Sequence, residues 1–137
     1  MKTLRRFLAL PPADRRLLWE ALKTVALCRA ALGIVPFERL RRWAAAVPPA
    51  PCPVAVEKLA WGVRAAARRV PRATCLVQAL ALQRLMARAG LASTLEIGVN
   101  RDAGGFTAHA WLRHEGRVII GGGVEGYSPL AAWKSER

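Results

Sequence analysis

Residues 74–90, TCLVQALALQRLMARAG, decide how this chain folds. The Thr74 hydroxyl can accept a hydrogen bond from an unpaired amide of a first helical turn, which makes Thr74 the N-cap and Cys75 the first helical residue. Cys75, Ala79, Leu82, Met86 and Ala89 then recur at helical spacing, and Gly90 ends the run. The spacing predicts a core helix whose first residue looks out of one end. A thiol there feels the positive end of the peptide dipoles, which favours the thiolate. Free cysteine is also among the most buried residue types, so an inert core thiol and an activated nucleophile both fit this position.

Working back from Thr74, residues 54–70 keep helical spacing through Val56, Leu59, Ala60 and Val63. The run PPAPCP (48–53) has too little backbone freedom for a helix and reads as an exposed extended linker carrying Cys52. Pro36 followed by FERLRRWAAA predicts a short helix with Phe37, Leu40 and Trp43 inward. Pro12-Ala13-Asp14 opens a longer helix that Gly33 closes. The first half is expected to be all helical.

Forward of Gly90 the period changes from 3.6 to 2. Leu95, Ile97 and Val99 alternate with Thr94, Glu96 and Gly98, predicting a strand. Residues 100–105 carry turn chemistry. Residues 106–113 alternate again, with Phe106, Ala108, Ala110 and Leu112 on one face and Thr107, His109, Trp111 and Arg113 on the other. Glu115-Gly116 predicts a two-residue hairpin turn, with 117–120 as the returning strand. The expected fold class is α+β, a helical N-terminal half packed on a small antiparallel sheet.

Composition bounds the partners. Of 137 residues, 53% are hydrophobic, which excludes disorder despite a net charge of +13 from 22 Lys and Arg against 9 Asp and Glu. Such a surface attracts nucleic acid, anionic membrane or acidic polypeptide, although a coding bias toward Ala and Arg yields the same composition. The arginines are spread over every predicted helix, and aromatic residues are not interleaved with them for base stacking. Cys28, Cys52 and Cys75 match neither a disulfide framework nor a metal motif, which points to a reducing cytoplasm. The opening MKTLRRFLAL has an apolar run too short for an export signal, and Glu20, Lys23 and Arg29 interrupt the most apolar long stretch, 17–35. No glycine loop has the context or lysine of a phosphate site.

A cysteine heading a core helix, with a histidine on the second following strand, can support nucleophilic catalysis, His109 acting as base to Cys75. The separation allows the strand to return over the helix N-terminus. His114, beside the turn, is a weaker candidate. CLVQALALQRLMARAG, LEIGVN and FTAHAWLRHEGRVIIGG, in that order and spacing, resemble the transglutaminase-like cysteine-protease component of lasso-peptide biosynthesis, which removes the leader from the precursor. The resemblance covers roughly residues 54–130. It implies a papain-like α+β core within a single domain 1–137, the helical segment 1–50 serving as a lead-in. It implies catalytic Cys75 and His109, and no cofactor or metal. It also implies three partners: the leader-bearing precursor, a small leader-recognition protein supplied in trans, and an asparagine-synthetase-like cyclase.

The family's aspartate after the HAW motif has no counterpart. Gly121-Gly122-Gly123 stands near the position paired with His109. Glu125 is the first substitute as third triad member, with Asp102, Asn100 or a backbone carbonyl as others, and a degenerate enzyme also fits this departure. The Cys75 amide and the Gln78 side chain are candidate oxyanion donors. Trp111, on the face of His109, either flanks a substrate groove or packs in the core. The competing function is a non-catalytic basic module that holds nucleic acid or an acidic protein.

Overall fold

The computed structural model describes residues 2–48, 50, 54–102, 105–122, 124 and 126–135. Among them are five helices, α1 (Lys2–Ala9), α2 (Pro12–Leu32), α3 (Phe37–Ala45), α4 (Val56–Ala67) and α5 (Cys75–Arg88). Four strands follow, β1 (Thr94–Asp102), β2 (Gly105–His114), β3 (Arg117–Ile120) and β4 (Ser128–Lys134). They form one antiparallel sheet in the order β3-β2-β1-β4. The α+β class is the one expected, with the helices leading.

Helix α5 is the element the others pack on, touching α2, α3, α4 and β2. Its termini follow from local chemistry. The Val77 amide donates to Thr74 Oγ1 at 3.4 Å. At the other end Gly90 takes φ +81°, and Leu91 N–H and Gly90 N–H bond the carbonyls of Met86 and Ala87. This is a Schellman cap, which requires a left-handed residue and so favours glycine. The expected apolar stripe proves too narrow. Val77, Ala79, Leu80, Ala81, Leu82, Gln83, Leu85, Met86 and Ala87 are all buried, because helices cover one side of α5 and the sheet covers the other. Ala21, Val25 and Cys28 of α2, Leu40 and Ala44 of α3, and Leu59, Ala60 and Val63 of α4 complete the core, with Leu95, Leu112 and Ile120 from the sheet.

Helices α2 and α3 form where the sequence predicts them. Pro12 occupies the first turn of α2, where its missing N–H costs nothing, and Asp14 in that turn ion-pairs with Lys58 of α4 at 2.8 Å. α1 was not anticipated. Its eight residues bury nothing completely, so no core-facing stripe marks it in the sequence. Two sheet features also differ. Pairing between β1 and β2 continues to Asp102↔Gly105, so most of the expected 100–105 turn is ladder; polar side chains at the exposed end of a hairpin do not prevent backbone pairing. The edge strand β4, after the glycine run, had no clean alternation to reveal it. The Glu115-Gly116 turn is as expected, with φ +48° and +79° giving the primed geometry that suits strand twist. The linker residues 51–53, with Cys52, lie outside the described residues.

No helix among the described residues is long and apolar enough to cross a membrane. Most of their acids are paired with Lys or Arg: Glu20 with Lys23 and Arg88, Glu38 with Arg41 and Arg42, Glu57 with Arg117, Glu96 with Arg113.

Candidate active site

The hinge of the site is the end of β3. Its last residue, Ile120, pairs with Leu112, so β2 has no strand beside it at Ala110 on that edge. The N-terminus of α5 fills the place. Cys75 Sγ accepts a hydrogen bond from the Ala110 amide at 3.4 Å. The half-buried thiol therefore lies against the β2 backbone beside His109.

His109 is held from the other direction. Its Nε2 lies 2.7 Å from the carbonyl oxygen of Gly121, just beyond β3. A carbonyl can only accept, so Nε2 must carry the proton, and in the neutral ring Nδ1 keeps its lone pair. Gly121 is there for two separate reasons. Its φ is +81°, and a Cβ would stand 2.6 Å from the Ala110 oxygen and 2.9 Å from Trp111 Cα. The glycine lets the chain turn back close enough for its carbonyl to reach the ring.

Aromatic rings surround the imidazole. Trp111 lies 5.9 Å from it and Tyr127 5.3 Å, centroid to centroid, with Trp111 and Tyr127 6.3 Å apart. Trp111 is only 2% exposed, and its indole N–H donates to Glu96, which also accepts from Arg113. Trp111 is therefore a packed wall behind His109. The wall depends on Gly98, where a Cβ would meet the indole ring at 2.6 Å. Gly98→Ala is expected to displace the indole and destabilise the fold by about 1–3 kcal/mol, the usual range for overpacking. A thermal melt checks it, and an unchanged midpoint would mean the ring yields freely.

The remaining sequence candidates separate. Gln78 Nε2 donates to the Ala73 carbonyl at 2.9 Å and so ties down the loop before α5. Glu125 lies outside the described residues, as does the side chain of Asp102. His114 bonds the Ala92 carbonyl through Nδ1 at 2.6 Å and sits beside the turn, linking β2 to the segment before β1. Cys28 is buried in α2, and desolvation pushes its pKa up to about 12, which leaves it a thiol at any working pH. Among the described residues no cluster of three His, Cys, Asp or Glu side chains could hold a metal.

Sequence reading missed Tyr127 and Glu96 as members of this cluster. Glu96 could have been found, since it stands directly opposite Trp111 in the β1–β2 register. Nothing local marks Tyr127, which reaches the imidazole by the return of the chain into β4.

No curated protein and no solved structure gives a significant match to this chain. The transglutaminase-like superfamily profile matches residues 21–132, from α2 through β4 and so across both partners of the Cys75–Ala110 contact. That span covers most of the protein, and the chain belongs to the transglutaminase-like superfamily.

Proposed function

We propose that this protein is a cytoplasmic cysteine endopeptidase that removes the leader peptide from a ribosomally made lasso-peptide precursor. One observation carries the catalytic part: Cys75 Sγ rests on the Ala110 amide, beside a histidine whose Nε2 proton is committed to the Gly121 carbonyl. Nδ1 is then the nitrogen left to take the thiol proton. The leader-peptidase assignment rests on the resemblance of the CLVQALALQRLMARAG, LEIGVN and FTAHAWLRHEGRVIIGG segments.

In this mechanism the Cys75 proton passes to His109 Nδ1 and Sγ attacks the scissile carbonyl carbon. The backbone N–H of Cys75, an orphan donor of the first turn of α5, faces the developing oxyanion. Collapse breaks the C–N bond, the imidazolium gives its proton to the departing amine, and a thioester remains. Water, deprotonated by His109, adds to that thioester, releasing the new carboxyl terminus and regenerating the thiol. The Gly121 carbonyl replaces the aspartate of the wider family. A neutral dipole stabilises imidazolium less than a carboxylate would, so turnover is expected to be slow. Leader recognition comes from a separate small protein and ring closure from an asparagine-synthetase-like cyclase.

The test is labelling with a peptide bearing a thiol-reactive electrophile, followed by peptide mapping. Modification is expected at Cys75, with Cys28 untouched because its thiol stays protonated. Labelling confined to Cys52, or salt-sensitive DNA binding by a protein whose Cys75 is inert, would favour the non-catalytic basic module instead.

A further inference from the structure

Where the end of α2 meets the loop leading into α5, a cavity of about 260 Å³ is lined by Arg29, Leu32, Gly33, Arg72 and Thr74. Thr74 is the N-cap of α5 and immediately precedes Cys75, so this cavity lies at the entrance to the helix that the candidate nucleophile begins. It is strongly basic for its size. Among the described residues neither Arg29 nor Arg72 has a carboxylate partner, whereas Asp14, Glu20, Glu38, Glu57 and Glu96 are all engaged elsewhere.

We infer that this cavity is an anionic subsite, taking a substrate carboxylate on the stretch of peptide that crosses the N-terminal end of α5. The inference rests on the peptidase reading and specifies the substrate of the same site. Arginine suits the task, because its planar fork matches a carboxylate and stays charged at every working pH. The carbonyl end of α2 also borders the cavity and opposes an anion with about half a charge, which two full cations outweigh. Arg72 holds φ +61°, uncommon for a residue with a Cβ. Backbone of this kind persists where the surroundings over-determine it.

A carboxylate could come from an internal Asp or Glu side chain or from a peptide C-terminus, and reagents that alkylate Cys75 distinguish the two. Three probes are compared on the full-length protein: iodoacetyl-glutamine amide, iodoacetyl-glutamate amide with a side-chain carboxylate, and iodoacetyl-glutamine with a free terminal carboxylate. The second-order rate at Cys75 is followed by mass spectrometry. At least one carboxylate probe is expected to react about tenfold or more faster than the neutral probe. In the Arg29→Gln/Arg72→Gln double variant, shown by circular dichroism to remain folded, that ratio is expected to fall to about twofold or less. A faster glutamate amide assigns an acidic residue within the substrate; a faster free acid assigns a chain terminus. Equal rates for all three probes, or a preference that survives the double substitution, overturn the subsite. Precursor cleavage without any carboxylate preference also overturns it while leaving the peptidase reading intact. A preference at Cys75 in a protein that cuts no precursor does the reverse. If none of the probes modifies Cys75, both readings fall, since a substrate subsite presupposes a reachable thiol.

Discussion

Cys75→Ala is expected to remove leader cleavage almost completely, by on the order of 10⁴-fold or more in turnover, because the acyl-enzyme of the proposed mechanism forms on its sulfur. The fold should survive. The thiol is half-buried at a helix end, and its exchange for a methyl sacrifices one hydrogen bond from the Ala110 amide, about 1 kcal/mol. His109→Ala is expected to be comparably severe in turnover and worse for stability, since it leaves the Gly121 carbonyl without its donor and removes the imidazole's contacts with Trp111 and Tyr127. Single-turnover cleavage of a precursor supplemented with its recognition protein, read beside a thermal melt, separates the two effects. Retention of more than a few per cent of the native rate by Cys75→Ala would dismiss it as the nucleophile.

The second large effect is expected at a residue with no side chain. Gly121→Ala places a methyl 2.6 Å from the Ala110 oxygen and forces an L-residue to φ +81°. The segment after β3 must shift, and the carbonyl that holds His109 Nε2 shifts with it. A loss of about 10²–10³-fold in turnover is expected, with a stability cost of about 1–3 kcal/mol. A purely structural role would show only the second. The separating measurement is the pH profile of single-turnover cleavage at a temperature where the variant is fully folded. If Gly121 orients the imidazole, the rate falls and the profile departs from the native one; a variant with native rate and profile would hand the orienting role to another group. Glu125→Gln, tested in parallel, shows whether that carboxylate contributes. Should it cost more than Gly121→Ala, the carbonyl is secondary.

Much of the site was legible in one dimension because its chemistry coincides with local signals. Thr74 caps, Gly90 stops, and between them the apolar residues mark a core helix, so Cys75 falls on the first turn without any tertiary information. The alternation through 106–113 put His109 and Trp111 on one face, and the Glu115-Gly116 turn fixed the hairpin. The resemblance to the lasso-peptide protease joined the two halves, and the superfamily match across residues 21–132 agrees with it at the coarser level.

Other parts were closed to such reading. The glycine run after Ile120 announced the lack of an aspartate, but a sequence has no way to say which carbonyl will stand 2.7 Å from an imidazole. That depends on where β3 stops and how sharply the chain turns at Gly121. Tyr127 joins His109 only because β4 pairs with β1 on the far edge of the sheet. The basic cavity has the same origin, since Arg29 and Arg72 lie on separate elements that meet at the entrance to α5.

The sequence by itself determined the order and type of most elements, the caps of α5, the placement of Cys75 on a helix end and of His109 on a strand, and the excess of arginine. These follow from periodicity, turn chemistry and charge, which act over a few residues. Tertiary structure decided that α5 is buried between the other helices and the sheet, that Cys75 Sγ meets β2 at Ala110, that a backbone carbonyl holds His109, and that two arginines without carboxylate partners among the described residues line one cavity at the entrance to α5. The physical reason is that hydrogen bonds and desolvation depend on which atoms come within a few ångströms of one another, and that is set only when separate helices and strands pack together.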